Sequence, residues 1–364
     1  MEGVGVIDRH FWRGKRVFVT GQTGFKGAWL ALWLEKLGAS VAGFSNGVPT
    51  EPSMWKAASV GRSMASIEGD VRDLSALTKA IRDFKPEIVF HLAAQSLVRL
   101  SYDDPAGTFS TNVMGTVNLL EAVRQTDGVR AVINITSDKC YENRELDYAY
   151  RESDPMGGRD PYSSSKGCAE LVTAAYRQSF FAGHSAGIAS VRAGNVIGGG
   201  DWSADRLVPD CVRAFAAQEA VVVRNPASIR PWQHVLEALR GYLLLAQRLY
   251  ATPGDFSRGF NFGPDSNDAR PVSYVVEKLC SEWGNGAACR VETPGEAKSP
   301  HEAHFLKLDS SLARAALGWK PLLELPQALE LSVEWYRAFY RGDDVRALSL
   351  KHLDRIETME RDSA

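Results

Sequence analysis

The chain has 364 residues, of which 45% are hydrophobic, and its formal net charge at neutral pH is −2. A chain of this length and composition can bury a large core, and its near-neutral charge argues against a nucleic-acid-binding protein. The five cysteines lack the paired spacing of a disulfide framework or zinc site, which favours the reducing cytoplasm. No signal-peptide pattern or membrane-spanning apolar run is present, so we expect no membrane association.

The first half of the chain alternates short β-branched runs with longer helical patterns. A helix is predicted over 26–38, where Gly38 ends it. Buried strands are predicted, in chain order, at 16–20, 40–44, 87–93, 131–136 and 187–193. Apolar strands joined by helical crossovers are typical of the α/β class, here a Rossmann-type, doubly wound parallel sheet.

The first predicted strand leads directly into a glycine-rich turn, Thr20-Gly21-Gln22-Thr23-Gly24-Phe25-Lys26-Gly27. Glycines at these positions allow a tight turn and let the backbone approach a pyrophosphate, while the helix N-terminus offers N–H groups to the anion. A dinucleotide cofactor is therefore predicted. The turn residues assigned to it are Gly21, Thr23, Gly24, Phe25, Lys26 and Gly27.

The end of the second strand does not decide between NAD and NADP. It reads Gly43-Phe44-Ser45-Asn46, with neither the acid of an NAD site nor an arginine for a 2′-phosphate. Ser45 is the candidate for hydrogen bonding to the ribose. Asp70 and Val71 stand where the third strand should end and are candidates for flanking the adenine, although Asp70 equally fits a turn or helix cap.

After about residue 196 the alternation of strands and helices fails. We therefore predict three parts. Residues 1–196, with part of 234–265, form the NAD-binding Rossmann domain; residues 197–233 and 266–340 form a smaller C-terminal substrate-binding lobe; residues 341–364 form a C-terminal tail or surface helix.

Two short motifs carry groups suited to acid–base chemistry. Ser137, Asp138 and Lys139 stand side by side just after the apolar run that ends at 136. Tyr162 and Lys166 are four residues apart, so on a helix they share a face and the ammonium can lower the pKa of the phenol. A tyrosinate at this place would be a base for a sugar hydroxyl.

The glycine-rich turn, the HLAAQ segment, the strand-end serine and the Tyr-x-x-x-Lys pair together resemble the extended short-chain dehydrogenase/reductase superfamily, over roughly residues 12–340. Longer blocks, among them GQTGFKGAWL, TSDKCYEN, DPYSSSKGCAELV and RAGNVIGGGDW, are similar to the CDP-glucose 4,6-dehydratase family. That resemblance implies an enzyme that keeps its own NAD and converts CDP-glucose to CDP-4-keto-6-deoxyglucose during deoxysugar biosynthesis, as for O-antigens. It also adds Leu92, Ala93 and Ala94 to the cofactor site.

The resemblance implies a role for each motif residue. Tyr162 is the base for the 4-hydroxyl, Ser137 binds O4, and Lys166 holds the tyrosinate and a cofactor ribose. Asp138 protonates the departing 6-hydroxyl. Lys139 stands where the related dTDP-glucose dehydratases have the glutamate that removes the C5 proton, and because a lysine must be neutral to do so, the identity of this base stays open.

Substrate contacts are assigned to side chains in the blocks that match the family. Arginine suits a diphosphate because it offers paired N–H donors, although each arginine also fits an ordinary surface position. The substrate residues assigned are Gln95, Arg99, Asn195, Arg206 and Arg230. His301, Glu302 and His304 lack the spacing of a zinc helix, and no metal is expected.

Two alternatives and one assembly prediction complete the expectations. The first alternative is another nucleotide-sugar dehydratase or an epimerase of the superfamily; an epimerase would need no acid beside the strand-end hydroxyl. The second alternative is a non-catalytic NAD-binding protein. The apolar segment 112–124 and the helix beginning at Tyr162 imply, by resemblance, a homodimer or homotetramer built on a four-helix bundle.

Overall fold

The computed structural model describes residues 5–291 and 305–363 of the chain. Its main feature is a seven-stranded sheet with the order β12-β7-β5-β4-β1-β2-β3, in which all neighbouring strands are parallel. The strands are β1 (Arg16–Thr20), β2 (Ser40–Ser45), β3 (Ala65–Glu68), β4 (Ile88–His91), β5 (Ala131–Ile135), β6 (Ala149–Tyr150), β7 (Gly187–Arg192), β8 (Val196–Ile197), β9 (Val221–Val223), β10 (Ile229–Pro231), β11 (Gln233–His234), β12 (Gly259–Asn261), β13 (Ala269–Pro271), β14 (Cys289–Val291) and β15 (Lys307–Leu308).

Helices cover both faces of this sheet and build the smaller lobe. They are α1 (Arg9–Trp12), α2 (Phe25–Lys36), α3 (Met54–Ala57), α4 (Leu74–Phe84), α5 (Val98–Asp103), α6 (Pro105–Phe109), α7 (Gly115–Arg124), α8 (Pro161–Ser179), α9 (Leu207–Ala216), α10 (Val235–Ala251), α11 (Pro253–Phe256), α12 (Val272–Trp283), α13 (Ser311–Leu317), α14 (Leu325–Arg341) and α15 (Val345–Asp362). Within the described residues, none of these helices is long and apolar enough to cross a membrane.

The predicted fold class is confirmed, because the strand order from β3 through β1 to β5 and β7 is that of a doubly wound Rossmann sheet. The strands predicted from apolar runs are present as β1, β2, β4, β5 and β7. The sheet also contains β3 and β12, for which no apolar run was available: β3 is largely exposed, and β12 has only three residues.

The carboxyl ends of β1, β4 and β5 bring the predicted motifs to one edge of the sheet. Between the ends of β1 and β4, Thr20 Oγ1 and His91 Nδ1 are 2.7 Å apart. Gly21 has a φ of 73°, and a Cβ there would lie 2.7 Å from the backbone nitrogen of Ala93. Only glycine therefore allows the turn after β1 to contact the segment after β4.

The segment predicted as a tail contains α15, which packs against α2. Residues Gly27–Leu34 of α2 are buried around the whole helix, so α2 needs cover on every side. Glu357 supplies part of it, accepting hydrogen bonds from Trp33 Nε1 at 3.1 Å and Lys36 Nζ at 2.8 Å. Residues 345–362 thus form a helix with a buried face, which is the helical alternative of the prediction for this segment.

The glycine-rich segment 198–201 is held between α2 and α14. Trp29 Nε1 donates to the Gly199 carbonyl at 2.8 Å, and a Cβ on Gly199 would meet the ring of Trp335. The hydroxyl of Tyr336 bonds to the backbone of Asp201. These contacts hold the backbone of Asp201 in place, and its side chain takes part in the site described next.

Candidate active site

The first part of the site is the turn that follows β5. Ser137 Oγ donates a hydrogen bond to Asp138 Oδ1 at 2.9 Å and accepts one from the Lys139 backbone N–H at 3.3 Å. Asp138 is only 2% exposed, and its Oδ2 has no hydrogen-bond partner among the described residues. A Cβ on Gly194 would lie 2.0 Å from that oxygen, so the glycine makes room for the carboxylate.

The second part is the first turn of α8, which begins after the N-cap residue Asp160 and has Pro161 at its first position. Tyr162 and Lys166 lie one turn apart on the buried face of this helix. Tyr162 lies near Ser137, which acts to lower the pKa of the phenol. Lys166 Nζ donates to the Ile135 carbonyl at 3.2 Å, and this bond joins α8 to the end of β5.

Burial dominates the electrostatics of these groups. It raises the pKa of Tyr162 to about 12, although the hydrogen bond to Ser137 and the charge of Arg206 act in the opposite direction. Burial and the nearby charge of Lys26 lower the pKa of Lys166 to about 8. The lowering of the phenol pKa by Lys166 stays a prediction; in this structure desolvation outweighs the attraction of Arg206.

A buried network behind the motifs holds the end of β5 in place. Glu170, one turn beyond Lys166, accepts hydrogen bonds from Thr136 Oγ1 at 2.5 Å and from Ser190 Oγ at 2.6 Å. Arg192 donates two bonds of 2.9 Å to the same carboxylate. Since Thr136 directly precedes Ser137, this network fixes the strand end from which the reactive side chains project.

The glycine-rich turn has the shape that a pyrophosphate site requires. Gly24 is the N-cap of α2, and no side chain caps the first turn of the helix. A Cβ on Gly27 would lie 2.1 Å from the Gly21 carbonyl oxygen, so the helix packs closely on the turn. The N-terminus of this 12-residue helix is therefore open to an anion, as the sequence predicts.

The residues beyond the turn line a polar recess at the ends of β2 and β3. Thr23 Oγ1 donates to the Gly47 carbonyl at 2.6 Å and lies 3.2 Å from the hydroxyl of Ser45. Gln22 is fully buried against Gly43, and its Oε1 has no partner among the described residues. An unpartnered buried amide oxygen is unusual and points to a ligand group here.

Asp70, at the end of β3, forms an ion pair within its own loop. Its carboxylate accepts from Arg72 Nη2 at 2.6 Å, and this contact, opposed by burial, lowers its pKa. Asn46 also hydrogen-bonds Asp70. The backbone carbonyl of Val71 accepts a hydrogen bond from Asn118 Nδ2 at 2.9 Å. Arg72 is absent from the predicted site and lies beside the predicted adenosine pocket.

The segment after β4 is held by backbone and amide contacts. Leu92 N donates to the Thr20 carbonyl at 3.1 Å, and Ala93 N donates to Thr20 Oγ1 at 3.2 Å. Ala94 leads into Gln95, whose Nε2 donates to the Leu97 carbonyl and to Thr108 Oγ1 at 2.9 Å. The side chain of Gln95 therefore organises its own loop.

The predicted substrate arginines do not form one group. Asp205 Oδ1 lies 3.2 Å from Arg99 and 3.6 Å from Arg224, an arginine absent from the prediction. Arg206 forms an ion pair with Asp201 at 2.9 Å. Its charge also acts to lower the pKa of Tyr162, so it lies near the reactive centre.

The last two predicted substrate residues lie on neighbouring segments. Arg230 is buried on β10, where its Nη1 donates to the Ile229 carbonyl, and Asn195, with a φ of 33°, follows β7.

The comparisons with known proteins agree on one family. The family model for GDP-mannose 4,6 dehydratase matches residues 18–331. The chain belongs to this family. It is 55% identical over 353 residues to the CDP-glucose 4,6-dehydratase of Salmonella typhimurium. The aligned region covers 96% of this chain and 98% of the relative. A dTDP-glucose 4,6-dehydratase of Xanthomonas campestris is 24% identical over 286 residues, covering 74% of this chain and 78% of the relative.

Solved structures support the fold of this family member. The dTDP-glucose 4,6-dehydratase from Streptomyces venezuelae, solved with NAD, superimposes with a TM-score of 0.77 at 21% identity, covering 90% of this chain and 99% of that one. A Thermus thermophilus UDP-glucose 4-epimerase in complex with NAD gives a TM-score of 0.74 at 24% identity, covering 88% and 99%. The resemblance to the dehydratase family found in the sequence is confirmed.

The site also contains a lysine whose environment the sequence did not reveal. Burial and the charge of Arg206 lower the pKa of Lys26 to about 8, while Asp138 and Asp201 act in the opposite direction. Lys26 is assigned only to the cofactor in the sequence, yet it also faces the acid of the site. Lys139, by contrast, is only partly buried. The residues His301, Glu302 and His304 lie outside the described residues.

Proposed function

We propose that this chain converts CDP-D-glucose to CDP-4-keto-6-deoxy-D-glucose, as a CDP-glucose 4,6-dehydratase. The observation that carries the proposal is the 55% identity, over 96% of the chain, to an enzyme of that name. The geometry supports it, because a hydroxyl, a buried carboxylate and a tyrosine meet at one edge of a Rossmann sheet. An epimerase has no use for the acid that Asp138 supplies.

The described residues fit NAD as the resident cofactor. The open N-terminus of α2 suits the pyrophosphate, and the recess near Ser45 and the unpartnered Gln22 amide suits the adenosine ribose. When bound, NAD would supply the hydride acceptor for C4 and the hydride donor for C6. We infer that it is held tightly and recycled, with NAD preferred and NADP not excluded.

Three residues carry the oxidation at C4. Tyr162 removes the proton of the 4-hydroxyl, and Ser137 binds O4 beside it. Lys166, held by the Ile135 carbonyl, lies one turn along α8 and contributes positive charge near the phenolate and the cofactor ribose. The ketone formed at C4 makes the C5 proton acidic enough to be removed.

Elimination needs an acid at O6 and a base at C5. Asp138 is the acid. Lys139 is the proposed base by family position, and Lys26 is a second candidate because burial lowers its pKa to about 8, leaving a substantial neutral fraction near neutral pH. Lys139→Ala and Lys26→Met should be compared for exchange of the C5 hydrogen with deuterated solvent, read by mass spectrometry. The base is the lysine whose loss slows that exchange while C4 oxidation continues.

Substrate binding is assigned to the arginines around the mouth of the site. Arg99 and Arg206, with the newly found Arg224, lie near the segment 201–206 and can present guanidinium donors to a diphosphate. We retain Gln95, Asn195 and Arg230 as further substrate contacts. Replacing Arg99 or Arg224 with leucine should raise KM for CDP-glucose more than it lowers kcat.

We propose a homodimer, with a homotetramer as the larger possibility. Exposed apolar side chains lie on or directly beside α7 and α8, the helices of the predicted interface: Met114 is 49% exposed, Leu171 60% and Phe180 52%. Leu171→Glu should shift the sedimentation coefficient toward that of a monomer. A wild-type protein that sediments as a monomer at micromolar concentration would contradict this assembly.

The direct test of function is incubation with CDP-, dTDP-, UDP- and GDP-glucose. We expect only CDP-glucose to give a product lighter by one water, with the alkaline absorbance of a 4-keto-6-deoxy sugar. A product of unchanged mass would indicate an epimerase, and the absence of any product would favour a non-catalytic NAD-binding protein.

A further inference from the structure

Three buried polar atoms around the carboxyl of Asp138 have no hydrogen-bond partner within the part of the chain that the structure describes. They are Asp138 Oδ2 itself, the hydroxyl of Tyr242 on α10 and Gln233 Oε1 on β11. All three side chains are at most 3% exposed. A buried polar atom without a partner costs free energy, and neighbouring atoms of this kind point to a group that binds them together.

A chain of contacts brings the three side chains to one place. Gln233 Nε2 donates hydrogen bonds to the carbonyls of Gly194 at 3.3 Å and of Phe262 at 2.7 Å. Gly194 lies against Asp138, since a Cβ on the glycine would come within 2.0 Å of Oδ2. Phe262 packs edge-on against the ring of Tyr242, with the ring centroids 5.7 Å apart. The amide of Gln233 therefore joins the surroundings of Asp138 to those of Tyr242.

The hydrogen-bonding capacity of the three atoms identifies the group that fits them. Both partners of the Gln233 amide are carbonyls, which only accept, so its nitrogen faces them and its oxygen remains an acceptor. Asp138 Oδ2 is a second acceptor. Tyr242 is the donor, because burial, with the charge of Asp138 acting in the same direction, raises the pKa of its hydroxyl and keeps it protonated. A water molecule accepts one bond and donates two, which matches all three atoms.

We propose that a buried water molecule, bound by Tyr242, Gln233 and Asp138, holds the acid of the site in position for elimination. The water accepts a hydrogen bond from Tyr242 and donates to Gln233 Oε1 and Asp138 Oδ2. Because Ser137 Oγ donates to Asp138 Oδ1 at 2.9 Å, both oxygens of the carboxylate are then held. Tyr242 and Gln233 are thus positioning residues. The inference rests on the proposed function, in which Asp138 protonates O6.

Water suits an acid that changes its charge during turnover. Asp138 is a carboxylic acid before it protonates O6 and a carboxylate afterwards. A water molecule both donates and accepts hydrogen bonds, so it keeps its contact with Oδ2 in either state. A direct bond from Tyr242 would instead leave Gln233 Oε1 buried without a donor. A cation would favour the charged state alone, and Lys26 already places a positive charge near Asp138.

The decisive variant is Tyr242→Phe, which removes one hydroxyl and keeps the ring against Phe262. Elimination is measured as loss of water from CDP-glucose by rapid quench and mass spectrometry. CDP-6-deoxyglucose has no 6-hydroxyl, so its absorbance change at 340 nm reports C4 oxidation alone. We expect elimination to slow by about tenfold to a hundredfold, since a reacting group misplaced by about 1 Å loses rate on this scale, while oxidation is unchanged. An equal loss in both steps would overturn the positioning role.

The matched control is Tyr250→Phe on the same helix. The hydroxyl of Tyr250 lies 3.0 Å from Glu87 Oε1 and 3.2 Å from Lys15 Nζ. Glu87 also accepts from the backbone of Arg16 at the start of β1, which is the edge of the sheet opposite the site. The control therefore removes the same atom from a tyrosine of α10 far from Asp138, and both rates should stay unchanged.

Thermal unfolding tests the water site without substrate or turnover. If the hydroxyl of Tyr242 had no partner, Tyr242→Phe would remove a buried unsatisfied group and raise Tm. If the hydroxyl binds the water, the variant leaves the water with fewer partners, and we expect Tm to fall by about 1–4 °C. A Tm above that of the wild type would overturn the proposal. A lowered Tm in a protein that fails to convert CDP-glucose would overturn the proposed function instead.

A high-resolution crystal structure of the wild type observes the site directly. We expect one water molecule within about 3 Å of Tyr242 Oη, Gln233 Oε1 and Asp138 Oδ2, and its loss or displacement in Tyr242→Phe. A direct hydrogen bond from Tyr242 to Asp138, or a cation in place of the water, would overturn the proposal.

Discussion

A single added methyl group at Gly194 should disable the acid of the site. An ideal Cβ at this position would lie 2.0 Å from Asp138 Oδ2 and 2.6 Å from its Cγ. To reach the 3.4 Å of an ordinary contact, the oxygen would have to retreat by about 1.4 Å. A displacement of about 1 Å at a reacting group costs roughly 10²-fold in rate, so Gly194→Ala should slow elimination by at least that factor.

The fold should tolerate the same change. The backbone of Gly194 is not in the left-handed region, and the nearest group is a side-chain end that can rotate, with Pro231 Cγ next at 3.1 Å. We therefore expect about 1–3 kcal/mol of destabilisation. The matched control is Gly254→Ala, since nothing lies within 4 Å of a Cβ there. Rapid-quench reactions with CDP-glucose, analysed by mass spectrometry, measure the rate of elimination. Thermal unfolding of the same variants measures their stability. Elimination by Gly194→Ala within threefold of the control would show that Asp138 is not the acid.

Three other predictions follow from the site. Tyr162→Phe should abolish formation of NADH with CDP-6-deoxyglucose, seen as no rise at 340 nm, while NAD binding persists. Catalytic amounts of NAD should sustain turnover of CDP-glucose with no net NADH, whereas steady accumulation of NADH would indicate an ordinary dehydrogenase. Glu170→Gln should destabilise the fold by about 3–5 kcal/mol in thermal or urea unfolding, because it leaves Arg192 buried without its charge partner. Burial alone would raise the pKa of Glu170, but the charge of Arg192 outweighs it and lowers the folded pKa. The stability that this pair contributes is therefore present above the unfolded pKa of about 4.3 and is lost as the pH falls. The difference in unfolding free energy between wild type and Glu170→Gln should disappear in acid.

The sequence predicts the parts of the fold that depend on local pattern. Strands such as β5, buried along its whole length, are visible as apolar runs, and in the turn at 20–27 the positions of Gly21 and Gly27 leave no room for a Cβ. The edge strand β3 is mostly exposed and therefore carries no apolar run. Helix α15 was not recognised as part of the core, because its contacts with α2 join residues more than 300 positions apart.

For the candidate site too, the sequence predicts some features and not others. The residue types and spacing of Ser137, Asp138 and Tyr162 predict which groups meet, and the structure brings them together. The protonation behaviour of Tyr162 and Lys26 could not be predicted, because it depends on desolvation by segments distant in the chain. Nor could the arginine positions, which are set by ion pairs with the loop 201–205.

The contacts of α15 have a consequence for how the chain folds during synthesis. Helix α2 is synthesised long before Glu357, which covers its Trp33, and Ile7 long before Glu360, which binds its backbone at 2.9 Å. Until α15 is made, the side of α2 that carries Trp33 and Lys36 lacks the carboxylate that binds both side chains. The packing of α2 is therefore completed only when a helix from a distant part of the chain docks on it.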